Sequence, residues 1–170
     1  MACDLITQGR AKQCKSNIGG QSHLYLFNYV EDPFTVVAGE CTAINVLITV
    51  VYDYVLEGDG NTLVEDMVAD INTGVSINTQ TITTVLRKQT AADSAELNLL
   101  SYSNAQAVVK DRNGVYHACG IEDGFNWSVN AVTGGAKTEF NGYNVTGVST
   151  QGSLSPKLDA ATITAFLGLV

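Results

Sequence analysis

The fold of this chain is most clearly encoded in AQAVVKDRNGVYHACGI at residues 105–121. Two runs rich in β-favouring residues flank Arg112-Asn113-Gly114, and an Asn-Gly pair readily supplies the positive φ angles that a tight hairpin turn needs. The stretch therefore predicts two antiparallel strands, over 105–111 and 115–121, joined by a hairpin turn.

Runs of similar character predict further strands on both sides of this hairpin. They lie at 24–30, 43–56, 75–86, 125–132 and 143–150. The first residues of the 75–86 run alternate apolar with polar side chains at the period of two that is typical of a half-buried strand. Residues 57–74 are polar and acidic over a length well beyond an ordinary turn. That segment is predicted to be a long functional loop or a projecting hairpin.

Two helices are predicted from their capping residues. Thr90 and Asp93 have the spacing of a capping box, which predicts a helix over about 90–101 that flanks a sheet. Its packed face is predicted from helical spacing to consist of Ala92, Ala95 and Leu99, with Leu100 and Tyr102 close by. Asp159 can cap a second, short C-terminal helix over 159–167, with an apolar stripe of Ala160, Ile163, Phe166 and Leu167.

These elements predict a mainly β fold: two antiparallel sheets in a β-sandwich or partly closed barrel, with one flanking helix. Residues 1–22 are predicted to be an irregular N-terminal arm, residues 23–152 the sandwich domain, and residues 153–170 a C-terminal extension. The apolar C-terminal end of the chain, which includes Phe166, Leu167 and Leu169, is predicted to pack on its own or on a neighbouring subunit.

The charge of the chain argues against binding to nucleic acid. Seventeen acidic and nine basic residues give a formal net charge of −8 over 170 residues. A surface that grips phosphates needs clustered cations. The one basic run, formed by Arg10, Lys12 and Lys15, is better interpreted as a solvated, flexible end. We also expect a protein made and kept in the cytoplasm, because the N-terminal sequence lacks the apolar core of a secretory signal and no run is long enough to span a membrane.

The motifs of common enzymes and cofactor sites are absent from the sequence, which favours a protein that is not an enzyme and binds no cofactor. His117 and Cys119 lie on one strand face and form two candidate ligands of a zinc site, with Cys14 or Cys41 as a third, but simple packing is favoured. The acidic residues of 57–74 lack the ligand spacing of a calcium loop. The four widely spaced cysteines are expected to be free thiols, and Trp127 and the tyrosines are expected to pack in the core rather than to stack on bases or sugars.

The order of these elements resembles that of the major tail tube proteins of long-tailed phages. The resemblance rests on the strand at 81–87, the capped helix at 90–101, the hairpin strands at 105–111 and 115–121, and the closing strands at 125–132 and 143–150. Short phrases add to it: Met1-Ala2-Cys3-Asp4, Gly9-Arg10, Cys14-Lys15, Gly19-Gly20, Asp111-Arg112-Asn113-Gly114 and Gly142-Tyr143.

The resemblance implies a virion protein that forms stacked, six-membered rings, with strands pooled into an inner barrel through which DNA passes without specific binding. Its partners are then other copies of itself and other phage tail proteins, in a tail assembled in the host cytoplasm. The long loop reaches the neighbouring ring, which makes its acidic residues the candidate contact: Glu57, Asp59, Glu65, Asp66 and Asp70. An acidic bore repels phosphates.

The N-terminal arm and the C-terminal extension do not match a generic tube subunit, and both are predicted to be docking arms. Two other functions stay open from the sequence. One is a capsid decoration or head-tail connector protein, and the other is a small carbohydrate-binding module of a virion.

Overall fold

The computed structural model describes residues 6–170. They form eleven strands and two helices: β1 (Gln21–Phe27), β2 (Phe34–Val37), β3 (Glu40–Ile44), β4 (Tyr52–Val55), β5 (Thr62–Asp70), β6 (Val75–Arg87), α1 (Ala91–Tyr102), β7 (Gln106–Asp111), β8 (Tyr116–Cys119), β9 (Asn126–Val132), β10 (Gly142–Gln151), β11 (Lys157–Leu158) and α2 (Ala160–Leu167). The chain is therefore mainly β, as predicted. The part of the predicted arm that carries Cys3 lies outside the described residues.

The strands form two sheets that pack face to face. One sheet has seven strands in the order β2-β3-β11-β8-β7-β1-β4, and the other has four in the order β5-β6-β10-β9. Neighbouring strands are antiparallel except β3 and β11, which are parallel. Side chains from both sheets, among them Leu24, Val109, Ile82 and Trp127, meet in one apolar core. The sandwich prediction is confirmed, and within residues 6–170 neither sheet closes into a barrel.

The first strand has both faces buried, because the seven-stranded sheet is the middle of three layers. Leu24 and Leu26 point into the core between the sheets. Tyr25 and Phe27 point to the opposite side, where each meets Phe166 of α2, with ring centroids 5.6 and 6.1 Å apart. A strand covered on both faces carries a continuous apolar run, which is the pattern at residues 24–27.

The β7–β8 hairpin is confirmed, but its turn chemistry differs from the prediction. Gly114 adopts a positive φ of 83°, whereas Asn113 does not belong to the residues with positive φ. The side chain of Asn113 instead holds the N-terminal arm: its Nδ2 donates to the Ile18 carbonyl at 2.8 Å, and its Oδ1 accepts from the Ile18 N–H at 3.0 Å. Residues 6–20 form no helix or strand, but this contact ties the arm to the hairpin.

The first helix begins where it was predicted, yet it buries a different face. The Thr90 side chain accepts from the Asp93 N–H at 3.1 Å, and its hydroxyl donates to the Asp93 carboxylate at 2.6 Å. The buried residues are Leu97 and Leu100. The predicted face is wrong, since four of its members are exposed: Ala92, Ala95, Leu99 and Tyr102. A helix that meets the sandwich along a narrow line gains most by burying two large leucines, and two alanines contribute little apolar area.

The apolar run at 43–56 is not one strand. Its ends belong to β3 and β4, and residues 45–51 form a connection in which Ile48 and Val51 are buried against the outer face of the seven-stranded sheet. Turn contacts at Asn45 stop the first strand, because its side chain accepts from the Leu47 N–H and its carbonyl from the Ile48 N–H. The strand β2, directly after Pro33, was not predicted. The apolar residues at 45–51 thus cover the outer face of the seven-stranded sheet, whereas β2 extends that sheet at its edge.

The C-terminal segment is an integral part of the domain and not an extension. β11 lies between β3 and β8 in the seven-stranded sheet. The helix α2 begins at its predicted cap, where Asp159 accepts from the Thr162 N–H at 2.7 Å. Phe166 is fully buried, Leu169 is partly buried in the same cluster, and Leu167 is 39% exposed. Phe166 and Leu169 therefore pack on the chain's own sheet, which is one of the two arrangements predicted for this end of the chain.

Candidate assembly site

The segment 57–74 contains the longest hairpin of the molecule. Strand β5 occupies Thr62–Asp70 and pairs with β6 from Thr62 opposite Thr83 to Asp70 opposite Val75. A loop over 57–74 is therefore wrong for most of its length, and the projecting hairpin is correct. The composition hid the strand because its apolar residues come in adjacent pairs, Leu63-Val64 and Met67-Val68, with Glu65-Asp66 between them, and not at the period of two that is typical of a half-buried strand.

The end of this hairpin projects beyond the sandwich. Strand β10 pairs with β6 only between Asn78 and Arg87, so residues 68–77 have no third strand beside them among the described residues. We call residues 68–77 the ribbon. Three residues of β6 beyond Asn78 extend it by about 10 Å, at the usual rise of an antiparallel strand.

The ribbon is apolar on its surface. Ile71 at its tip is 95% exposed, and Val68, Val75 and Ile77 are each more than 40% exposed. A two-stranded ribbon with no core of its own is marginally stable in water, and clustered exposed apolar side chains mark surfaces that bind another protein. The ribbon is thus suited to bind another protein mainly through its apolar side chains and not through carboxylates.

Among the predicted contact residues, Glu65 is the one whose carboxylate is held by several hydrogen bonds within the chain. Its Oε1 accepts from the Ser155 N–H at 2.7 Å, Gln80 Nε2 at 2.9 Å and Asn78 Nδ2 at 3.1 Å, and its Oε2 accepts from Ser155 Oγ at 2.8 Å. Burial by itself raises the pKa of Glu65, but these hydrogen bonds outweigh it and hold the pKa below its usual value. Glu65 is therefore a link between β5 and residues 153–155 and not a contact to another ring.

The other four acidic residues are dispersed. Asp70 shapes the hairpin turn by accepting from the Asn72 N–H at 2.8 Å, and Asp66 lies on the exposed side of β5. Glu57 lies 4.0 Å from Arg87, and Asp59 lies 3.6 Å from Arg112. Among residues 6–170 there is no group of three or more His, Cys, Asp or Glu side chains that could hold a metal ion.

The exposed face of the four-stranded sheet carries mostly hydroxyl and amide groups, together with the exposed side chains of Val64 and Val148. Because Ile82 points into the core, its neighbours Thr81 and Thr83 point outward. The register places four hydroxyl residues side by side in one row across the sheet: Thr62, Thr83, Thr146 and Ser128. The row on one side of it consists of Val64, Thr81, Val148 and Asn126, and the row on the other side of Val85, Asn144 and Asn130. One row beyond Thr81, Thr79 lies between Asp66 and Thr150. Within the described four-stranded part, the charged side chains on this face are Asp66 and, at the end of β6, Arg87.

Both sheets have open edges. β5 and β9 are the edge strands of the four-stranded sheet, and β2 and β4 are those of the seven-stranded sheet. β9 is seven residues long and β5 is nine. An open edge presents unpaired backbone N–H and C=O groups that can pair with a strand of another chain.

The remaining candidates from the sequence lie apart from these surfaces. Trp127 is buried and its Nε1 donates to the Ala105 carbonyl at 3.0 Å. Cys41 and Cys119 are buried free thiols, and Cys14 is an exposed one. His23 pairs with Asp53 at 2.9 Å, and His117 lies 3.6 Å from Asp111. No helix in the described part of the chain is long and apolar enough to cross a membrane.

Comparison of the chain with protein-family models, with curated proteins and with solved structures gave no match.

Proposed function

We propose that this chain is a structural virion protein that self-assembles as stacked, six-membered rings and so forms the phage tail tube through which DNA passes. The observation that carries the proposal is a four-stranded sheet, open at both edges, whose longest hairpin projects out of the sandwich with apolar side chains at its end. Such a sheet can continue into a neighbour on each side, and such a hairpin can reach a subunit above or below.

The dimensions of the sheet suit a ring of six. Six four-stranded sheets joined edge to edge make a circle of roughly 24 strands, and at about 4.8 Å per strand this circle is roughly 37 Å across at the backbone. Strand tilt widens it further. The space that remains after side chains are added is of the size that duplex DNA requires. Pairing β5 of one copy with β9 of the next would also remove the two edges that otherwise invite uncontrolled association.

The exposed face of this sheet supplies a suitable lining for the bore. The core occupies the other face, so DNA would meet mainly threonine, serine and asparagine side chains, with the exposed Val64 and Val148 in one row among them. Phosphate binding depends mainly on Lys and Arg, and the four-stranded part of this face carries Arg87 at its end and Asp66 nearer its middle. DNA passing such a surface is neither gripped nor strongly repelled by it, and the net charge of −8 provides weaker repulsion at longer range.

The ribbon is the proposed contact between rings. Its four most apolar side chains are exposed in a single subunit: Val68, Ile71, Val75 and Ile77. Burying them against the next ring releases water from apolar surface, at about 25 cal/mol per Å². Stacking of rings thus depends on the hydrophobic effect more than on the acidic residues of the same hairpin.

Electron microscopy of the purified protein tests the proposal. The wild-type chain is expected to form rings or hollow tubes in negative stain. In a trimmed variant, Asn-Gly replaces residues 68–77, because Met67 and Asn78 are directly opposite each other and a two-residue turn fits such a pair. This variant is expected to fold and to form rings that do not stack.

Val148→Thr is the matched control, since it removes an exposed apolar side chain from the proposed bore and leaves the ribbon intact. It is expected to form tubes like the wild type. Tubes from the trimmed variant would contradict the role of the ribbon. A wild-type protein that stays monomeric at all concentrations and attaches to empty capsids would contradict the tube and favour a capsid decoration protein.

A further inference from the structure

A cavity of about 350 Å³ lies between the two sheets beside the start of β1. Its walls come from the N-terminal arm, β1, β5, β7 and β8, and the contacts between Asn113 and Ile18 hold the arm at its rim. A volume of this size is at the lower end of the range for small-molecule sites. The surfaces proposed above for assembly do not depend on it.

Two residues that line this cavity have buried polar atoms without partners. Gln21 is 3% exposed, lines the cavity, and has no hydrogen-bond partner for either its Nε2 or its Oε1 within the described residues. The Nδ1 atom of His117, in the same wall, is likewise buried without a partner. Each such group costs about 1–3 kcal/mol when it stays unpaired. Part of the cost is recovered when a ligand donates a hydrogen bond to the Oε1 of Gln21.

The cavity carries negative charge with unused acceptor capacity. Glu65 Oε2 receives one hydrogen bond, from Ser155 Oγ. Asp111 uses Oδ1 to accept from the turn amides of Asn113 and Val115, while its Oδ2 lies 3.6 Å from His117 Nε2. Burial and nearby Lys157 lower the pKa of His117, so its ring is neutral at pH 7. Lys and Arg are missing from the residues that line the cavity.

We propose that this cavity binds an organic cation that carries N–H donors, a guanidinium or a primary ammonium group, held by Glu65, Asp111 and the amide of Gln21. N–H donors on a cation complement two carboxylates and an amide oxygen, and charge-assisted hydrogen bonds of this kind are about twice as strong as neutral ones. A bare metal ion fits less well, since residues 6–170 bring no three metal-ligating side chains together. The ligand is either a free small amine or the side chain of an Arg or Lys from a second copy.

Calorimetric titration of the full chain with agmatine tests the site, because agmatine has both a guanidinium and a primary ammonium group. We expect a dissociation constant below about 1 mM for agmatine and no binding of tetramethylammonium, which has the charge but lacks N–H donors. Asp111→Asn and Gln21→Leu are each expected to weaken agmatine binding by about tenfold or more. Asp123→Asn removes an equal charge from an exposed position away from the cavity and is expected to bind like the wild type.

Gln21→Leu separates binding from packing. It removes two unpaired buried atoms, so its unfolding temperature is expected to stay equal or to rise while agmatine binding falls. Equal binding of agmatine and tetramethylammonium, or unchanged agmatine binding in both cavity variants, would overturn the proposal. If Gln21→Leu does not fold, the binding of agmatine to Asp111→Asn still tests the proposal. This variant is expected to fold, because asparagine keeps the oxygen that accepts from the N–H groups of Asn113 and Val115.

A variant with serine at Arg10, Lys12 and Lys15 distinguishes the two sources of the cation. If a basic side chain from the arm of a second copy fills the cavity, its removal frees the site, and the variant is expected to bind agmatine about tenfold more tightly than the wild type at the same protein concentration. If the ligand is a free amine, the affinity is unchanged. Either result supports the site, and neither bears on whether the rings form.

Discussion

Replacing Glu65 with alanine removes a carboxylate that ties β5 to the segment before β11. Four hydrogen bonds of 2.7–3.1 Å are lost, two of them from Ser155 and one each from Asn78 and Gln80. Hydrogen bonds to a charged group contribute about 1.5–3 kcal/mol each. The loss of unfolding free energy is smaller than the sum over these four hydrogen bonds. Asn78 also donates to the Ser153 carbonyl, and water can enter part of the space that the carboxylate leaves. We expect Glu65→Ala to lower the free energy of unfolding by about 3–5 kcal/mol.

Glu65→Gln keeps the shape of the side chain and removes its charge. The amide oxygen can still accept from the three donors that meet at Oε1, and the loss is expected to be about 1–2 kcal/mol. Since the pKa of Glu65 is lower in the folded chain than its ordinary value of 4.5, the carboxylate stabilises the fold fully above that value. This stabilisation is lost as the pH falls through the folded pKa. Glu65→Gln is therefore expected to lose less stability than the wild type on acidification below about pH 4.5.

Urea unfolding measures both effects through the fluorescence of Trp127, the one tryptophan of the chain, which is 3% exposed in the core. Asp66→Asn is the control: it changes the neighbouring residue, which is exposed on the opposite side of β5, and is expected to shift stability by less than about 0.5 kcal/mol. If Glu65→Ala and Asp66→Asn have the same unfolding free energy, or if Glu65→Gln retains the full acid dependence of the wild type, the assigned role of Glu65 is refuted.

Two further outcomes are expected. Phe166→Ala should lower the free energy of unfolding by about 3–5 kcal/mol, because this fully buried ring contacts Tyr25 and Phe27 of β1. Leu167 is 39% exposed. In the same urea titration, Leu167→Ala should lower the free energy of unfolding by less than a third of that amount. In a Cys3→Ser variant, a thiol reagent should modify the exposed Cys14 quickly in the native protein. Cys41 and Cys119 are buried and should react only on unfolding. Burial also raises the pKa of Cys41 to about 12, which keeps its thiol protonated. Rapid modification of Cys41 in native buffer would show that the layer formed by α2 and residues 45–51 opens readily.

The features that were predictable from the sequence are those with a local cause. Gly114 can adopt a positive φ whatever surrounds it, so the turn between β7 and β8 was identifiable from a few residues. The caps of α1 and α2 are equally local, because Thr90 and Asp159 accept hydrogen bonds from amides three residues further on. Strands β9 and β10 were predicted within a residue or two for the same reason.

The features that the sequence did not predict depend on distant residues. The run at 43–56 has the composition of one long strand, but the side chains of Ile48 and Val51 cover a sheet face that exists only after β1, β7 and β8 have paired. The C-terminal segment looked like an extension because Phe166 and its neighbours have no apolar partners nearby in sequence. Their partners in β1 lie about 140 residues earlier in the chain.

The candidate assembly site shows the same division. The sequence predicted a projection at 57–74, and the structure confirms a hairpin there. The acidic residues of this segment do not form one contact group, since Glu65 faces inward and the others are dispersed. Residues 63–68 have adjacent apolar and acidic pairs and lack period-two alternation, so they did not indicate β5. No pattern in that segment shows that β10 ends its pairing at Asn78 and leaves the ribbon without a third strand.

By itself, the sequence determined the mainly β class, the central hairpin, the starts of both helices and the acidic charge, because backbone preferences and net charge depend on residues that are close in the chain or simply counted. Tertiary structure alone decided which strands are edges, which faces are buried and which carboxylate is internal. Glu65 and Ser155 illustrate the reason: they are 90 positions apart, and a hydrogen bond or a buried face depends on which distant residues the completed fold brings together.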